Sequence, residues 1–390
     1  MHITGVVAEF DPFHLGHRRL LRRAADRRED EYCVVVMSGA FTQRGDCAAF
    51  DVGSRTEAAL RCGADVVLEL PVRISCSGAE DFTRGSVSLL DSLGCVDRIC
   101  FGSESGSIEE LTDAVRVLSD IREEDVNKDL PHRKITYVRA LGRYLDSMGE
   151  AGITHTIREP NNVLGIGYLK ALRELDSDIE PVTVKRNRHG GRFASSSQIR
   201  KAFSAGDRDF VGGNIPREMM RLVPDMLFSR GLVNNEDFSF LLYREILCHT
   251  ADELSEVYEC TPDMARRIKK LCIPEMRYSE FLRQVKSRDL TESRVRRVLA
   301  HILLGITGGP EKPIYTRLLG MRRDASDVVS KIRKNSAIPV IARNSDVKEE
   351  GDEVRRAFRE TLQSRRLWEE AWYLRYGVAA PGSDKVIVVD

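Results

Sequence analysis

The chain has no excess charge of either sign. Over 390 residues, 60 Lys and Arg balance 60 Asp and Glu. Net charge therefore does not announce a nucleic-acid partner, although a local basic patch is compatible with the balance. No run of roughly eighteen apolar residues occurs, so no membrane-spanning helix is expected. The first residues open directly on a strand-like run, without a charged segment and an apolar segment ahead of it, so no secretory leader is expected. The nine cysteines are odd in number and none is spaced C-x-x-C, which argues against a zinc site and against a disulfide framework. A reduced, cytoplasmic protein is the expectation. The dinucleotide fingerprint G-x-G-x-x-G is also missing. Gly165-Ile166-Gly167 comes closest, but it lies in a helix-like stretch without a third glycine in place, which argues against a dehydrogenase. No internal repeat and no low-complexity segment is found.

What is present is concentrated at the start. Ile3 to Ala8 is a short apolar run that reads as a buried first strand. Asp11-Pro12 should force a turn. His14-x-Gly16-His17 follows, and a helix-like stretch continues from Arg18. Strand, tight turn, His-x-Gly-His and helix is the order in which nucleotidyltransferases of the class I synthetase type build a triphosphate site. A helix N-terminus offers unpaired N–H groups and partial positive charge to an anion. Gly16 lets the backbone come close to phosphate. Two imidazoles three residues apart share a helical face. Both can donate hydrogen bonds to oxygens that gain charge at the α-phosphate. The bland alternative has His14 capping a turn and His17 on a solvated face.

Further strands alternate with helices. Tyr32 to Met37 reads as a second strand that ends in Ser38-Gly39, followed by Phe41-Thr42-Gln43-Arg44-Gly45-Asp46. Strand ends of an open parallel sheet face the ligand crevice, so Ser38, Gly39, Gln43 and Arg44 are candidate substrate contacts. Val52 to Cys62 reads as a helix with Arg55, Glu57 and Arg61 outward. Asp65 to Leu70 and Arg98 to Phe101 are the third and fourth strands, the last running into Gly102-Ser103-Glu104-Ser105-Gly106. Residues 108 to 159 read as a charged helical insertion with breaks near Pro131 and Gly152. Asn161 and Asn162 either cap the helix that follows or meet adenine or ribose. Glu180 to Lys185 is a fifth strand leading into the basic loop Arg186 to Arg192. Ser195-Ser196-Ser197-Gln198-Ile199-Arg200 then opens a second helix whose N-terminus suits phosphate. The pattern predicts an α/β fold, a doubly wound Rossmann-like nucleotidyltransferase domain with a parallel sheet over residues 1–215. Residues 216–390 read as a mainly helical C-terminal domain. Its clusters Arg266, Arg267, Lys269, Lys270 and Arg294, Arg296, Arg297 are solvated faces or contacts to an RNA backbone. Ile338 to Ala342 is strand-like, Val347 to Tyr376 is a charged helix, and Val386 to Val389 is an edge strand or ordered tail.

The blocks GVVAEFDPFHLGH, VVVMSGAFTQRG, GADVVLELP, FGSES, PNNVLGIGYLKAL and SSSQIR stand in this order. With them the chain resembles the tRNA(Met) cytidine acetate ligase family. Weaker similarity continues through SRVRRVLAHILLGI, YTRLLG and IPVIAR. The resemblance implies an ATP-dependent ligase acting in two steps: acetate attacks the α-phosphate of ATP to give acetyl-adenylate, and the wobble cytidine of elongator tRNA(Met) takes the acetyl group on N4. It implies ATP contacts at Val7, Ala8, Glu9, Phe10, Asp11, Pro12, Phe13, His14, Gly16, His17 and Leu20. It adds Gly102, Asn162 and Arg186, with Arg188 as the alternative to Arg186. His14, His17, Ser197 and Arg200 are the expected catalytic residues. Ser196, Ser197 and Arg200 are expected to hold the β- and γ-phosphates, with Mg²⁺ bound through ATP phosphates and water rather than by a protein cage. Three positions depart from the family pattern: Asp11, Leu15 and Ala40. Asp11 is an anion beside a phosphate site, unfavourable unless it binds metal or caps the turn. Two other readings of the site stay open. One is a nucleotidyltransferase that joins a nucleotide to a phosphorylated metabolite. The other is a non-catalytic RNA-binding protein on the same fold.

Overall fold

The middle one of the five parallel N-terminal strands is β1 (His2–Ala8). In the computed structural model, which describes residues 1–25, 30–127, 137–186, 193–287, 290–310, 312–381 and 385–390, it lies between β2 (Glu31–Ser38) and β4 (Arg98–Ser103). Both pairings are parallel. They run from His2↔Glu31 to Ala8↔Met37 on one side and include Thr4↔Arg98 on the other. β3 (Val66–Leu70) continues the sheet beyond β2, and β5 (Glu180–Lys185) flanks β4, both again parallel. The carboxyl ends of β1, β2, β4 and β5 therefore open on one edge.

Both faces of the sheet are covered, which is why these strands read as unbroken apolar runs rather than alternating ones. Cys33, Val35 and Met37 point into one core, with Leu21 of α1 (Leu15–Ala24), Ala58 and Ala59 of α2 (Val52–Arg61), and Trp368 and Trp372. Val34 and Val36 point into the other, with Leu89 and Leu90 of α3 (Ala79–Ser92). The insertion contributes α4 (Ile108–Asp120). Its expected break at Pro131 lies outside the described residues. Next come α5 (Pro160–Glu174) and α6 (Ser196–Ser204).

The C-terminal part is mostly helical, but it returns to the sheet. β6 (Thr316–Arg322) pairs antiparallel with β3, and β7 (Val340–Ile341) and β8 (Ile387–Val389) pair in parallel with β6. One sheet thus holds strands from both sides of residue 215/216. The tail from Val386 is an edge strand. Among the described residues no helix is long and apolar enough to cross a membrane.

Several members of the basic clusters are fastened to the protein itself, while Arg266, Arg267 and Lys270 stay exposed. In α7 (Glu292–Leu304), Arg297 is 7% exposed and binds both carboxylate oxygens of Glu259. Arg296 donates to both oxygens of Asp46 at 2.9 Å, and Arg294 donates to the Glu259 carbonyl. Arg267 and Lys269 donate to backbone carbonyls. Charge spacing alone cannot distinguish such fastening from a free face. The long helix α8 (Asp352–Tyr376) is fastened too, because Trp368 donates its indole N–H to the Ala48 carbonyl at 2.6 Å.

Candidate nucleotide site at the strand ends

After β1 the backbone reverses within six residues. Phe10 takes a left-handed φ of 52°, and the Asp11–Pro12 peptide is cis. Left-handed backbone is unusual for a bulky residue. Here the Phe10 ring is buried and packs on Phe13 and His17, with centroids 4.8 and 4.9 Å away.

The turn delivers His14 as the N-cap of α1. Its Nδ1 accepts from the Gly16 and His17 backbone N–H groups at 3.0 and 3.4 Å. His17 Nδ1 in return accepts the His14 backbone N–H at 3.3 Å, and the rings stack with centroids 3.6 Å apart. This is a capping box built from two imidazoles instead of a hydroxyl and a carboxylate. Since each Nδ1 accepts, each ring carries its proton on Nε2. Among the described residues both Nε2–H groups are left without a partner. His14 thus caps the helix as in the bland alternative, whereas His17 packs on Phe10 and Phe13 rather than standing on a solvated face. The Gly16 and His17 amides are both turned to the cap on His14 Nδ1. Gly16 makes room for the His14 ring, since a Cβ there would lie 2.8 Å from His14 Cε1.

Burial above all, and then the nearby Arg186 charge, push His14 down to about 3. Burial, then His14 and Arg186, hold His17 well below its ordinary 6.5. Both rings are neutral at physiological pH. Between pH 6.5 and about 3 the unfolded chain binds a proton at His14 that the folded chain refuses. Stability therefore rises with pH across this window and is lost as acid is added. Thermal unfolding midpoints recorded from pH 7 to pH 4 are expected to fall, and to fall less in a His14→Gln variant, which has no ring to charge.

Asp11 has a structural task. It is 6% exposed, and its Oδ1 accepts the backbone N–H groups of Ala49 and Phe50 at 2.9 and 3.1 Å. Its Oδ2 lies 3.6 Å from Arg200, which also donates to the Asp11 carbonyl. The anion thus caps a buried loop and draws Arg200 to the turn. Asp11→Ala should cost about 1–3 kcal/mol by leaving two buried amides unpaired. Asp11→Asn keeps an acceptor and should cost less than half of that in a urea unfolding curve.

Arg200 connects the two helix N-termini. It belongs to α6, whose N-cap Ser195 forms a capping box with Gln198, and it donates to Ser197 Oγ at 3.4 Å. Ser197 is exposed and Ser196 partly buried. A second cluster forms at β4 and β5. The Glu104 carboxylate accepts the backbone N–H groups of Asn161 and Asn162, and Asn162 Oδ1 accepts those of Glu104 and Ser105. Arg186 donates to Asn161 Oδ1 at 2.8 Å. Its aliphatic stem crosses Gly102, where a Cβ would lie 2.9 Å from Arg186 Cδ. Arg186 therefore meets Gly102 and Asn161, Asn162 is held next to them by Glu104, and the Arg186 charge reaches the histidines. The Asn162 side-chain oxygen is spent on the loop after β4. Arg188 lies outside the described residues. Val7, Ala8 and Leu20 are partly buried, and Pro12 and Phe13 are buried in the turn.

Of the candidates after β2, Ser38 is fully buried, and the Ser38 and Gly39 carbonyls accept from Arg55. They support the crevice from beneath. Gln43 donates its backbone N–H to Glu9, and Arg44 is exposed. Arg55 itself corrects the sequence reading, which placed it outward on α2. It is 0% exposed. Its guanidinium donates to the carbonyls of Phe50 at 3.0 Å, Glu9 at 2.8 Å, Ser38 at 2.9 Å and Gly39 at 2.6 Å. Helical spacing held the signal, because Val52, Thr56 and Ala59 share its face and are buried too.

A parallel sheet with a His-x-Gly-His helix end, and a second serine-capped helix end tied to it by an arginine, is the frame of a nucleotidyltransferase. The chain matches the HIGH Nucleotidyl Transferase family model over residues 1–375. It is 34% identical over 364 residues to the tRNA(Met) cytidine acetate ligase of Thermoanaerobacter sp. (strain X514), covering 90% of each chain. To that of Acetivibrio thermocellus it is 32% identical over 372 residues, covering 89% of each. Thermotoga maritima TmcAL bound with alpha-thio ATP superposes with a TM-score of 0.85 at 27% identity, over all of both chains. The chain belongs, within the HIGH nucleotidyl transferases, to the tRNA(Met) cytidine acetate ligase family, which is a family of ligases.

Proposed function

We propose that the protein activates acetate with ATP as acetyl-adenylate, releasing pyrophosphate, and transfers the acetyl group to N4 of the wobble cytidine of elongator tRNA(Met), releasing AMP. The supporting observation is the pair of neutral imidazoles at the start of α1, whose Nδ1 atoms are engaged and whose Nε2–H groups have no partner among the described residues. When the acetate oxygen attacks the α-phosphate, negative charge grows on the phosphoryl oxygens. Two preorganised donors in a buried site stabilise that charge more than they stabilise ground-state ATP. Arg186 and Arg200 add positive charge from opposite sides of the turn. Ser196 and Ser197 extend the Arg200 side toward the leaving pyrophosphate. Little covalent work falls to the protein, and positioning dominates.

Mg²⁺, where it accompanies ATP, would be held by phosphate oxygens and water. Asp11 is engaged with two backbone amides. Among the described residues no group of three His, Cys, Asp or Glu side chains is gathered for a metal. The test is exchange of labelled pyrophosphate into ATP. It should require acetate and proceed without RNA, and labelled acetate should then appear in elongator tRNA(Met). Exchange with no carboxylate present, or none with acetate, overturns the reading.

A further inference from the structure

Acetyl transfer to an aromatic amine needs a proton acceptor, and the ligase reading above leaves that role unassigned. The amine nitrogen attacks the acetyl carbonyl, the C–N bond forms, the C–O bond to AMP breaks, and the nitrogen loses one proton. The histidines cannot take it, because their Nδ1 atoms are used and their Nε2 atoms already carry hydrogen. Asp11 holds two amides and faces Arg200. Glu104 is occupied by the amides of Asn161 and Asn162. Glu69 is 2% exposed, sealed beneath Gly39 and set against Arg317.

Glu9 remains. It follows β1 directly, and its carbonyl is fixed by Arg55. Its Oε1 accepts the Gln43 backbone N–H at 3.0 Å, and among the described residues no donor reaches Oε2. One oxygen is pinned and the other is left for a ligand. The charged and titratable groups around it are Asp11 on its own turn, Arg44 from the loop after β2, Arg55 on α2, Cys76, Tyr168 on α5 and Arg200 on α6. We propose that Glu9 is the general base of the acetyl-transfer half-reaction: Oε2 takes the proton leaving the cytidine amine, while AMP departs with the electrons of the broken C–O bond. Burial raises the Glu9 carboxyl above its ordinary range; the Gln43 amide, Arg44 and Arg200 pull it back and Asp11 adds to the rise. This makes it a stronger base than a solvated carboxylate.

The experiment compares the two half-reactions in full-length Glu9→Gln, which keeps an acceptor for the Gln43 amide. Acetate-dependent pyrophosphate exchange should fall too, since Glu9 is among the expected ATP contacts, but by at least tenfold less than transfer. Single-turnover transfer of labelled acetate to elongator tRNA(Met) should fall by roughly 10² or more. In the unaltered chain, transfer should rise with pH through an elevated carboxylate value and then level. Glu9→Gln should lose that limb. Equal losses in both half-reactions, or no loss in transfer, overturn the proposal. Should the variant be insoluble, a transfer rate in the unaltered chain that is flat from pH 5 to pH 8 overturns it as well. Absence of exchange in the unaltered chain would instead remove the ligase reading itself.

Discussion

A His17→Ala variant is expected to lose roughly 10²–10³ of the rate of acetate-dependent pyrophosphate exchange, the scale set by deleting one donor of an oxyanion hole. The loss should be in rate rather than in ATP affinity. An Nε2–H donor is worth most when the phosphoryl oxygen has gained charge, so ATP binding measured by titration calorimetry should weaken by less than tenfold. Two controls follow from the same geometry. His17 accepts the His14 backbone N–H and packs on Phe10 and Phe13, so the variant should also be less stable, by about 1 kcal/mol for the lost cap. A fall in exchange that simply tracks unfolding in urea would reduce His17 to a structural residue. The pH profile is the second control. Both rings are held neutral, so exchange should show no break near pH 6.5. A break there that disappears in His17→Ala would mean a ring that changes charge during the reaction.

How the site was visible in the sequence depends on which atoms carry it. His14-x-Gly16-His17 is read directly, because the motif is local and the strand, turn and helix around it follow from apolar periodicity and one proline. The nitrogen that each ring uses is not read there. It is fixed by a reciprocal cap between the two rings and the two backbones. Asp11 looked anomalous for the opposite reason. Its partners, Ala49 and Phe50, lie 38 and 39 residues away, and no pattern in residues 9–17 points to them. The same holds for the sheet. Five parallel strands were legible, although the fifth, Glu180–Lys185, is only partly buried. That β6 joins β3 from nearly 250 residues downstream was not, since strand pairing at that separation leaves no spacing signal. The arginines of α7 were read as surface charge because a sequence displays charge and hides Glu259 and Asp46.

Arg55 shows what such hidden pairing is worth, and its replacement should produce the largest stability loss of any single change considered. Arg55→Met should lower unfolding free energy by about 3–5 kcal/mol, the range for removing one partner of a buried charged network. The four carbonyls of Glu9, Ser38, Gly39 and Phe50 would lose their donor at once, three of them in fully buried bonds. Against a typical total of about 5–15 kcal/mol, that is enough to cut soluble yield and to shift the urea midpoint well outside error. Arg55→Lys should recover less than half of the loss. An ammonium is a point donor, and it cannot reproduce a planar fork that reaches two strand ends and a loop together. Activity should fall in both variants even where the protein stays folded. Glu9 and Gly39 sit at the ends of β1 and β2, and the carbonyls that Arg55 gathers set the spacing between the histidine turn and the loop carrying Gln43. A lysine variant with native stability and native exchange would show that the strand ends hold their positions without this tie.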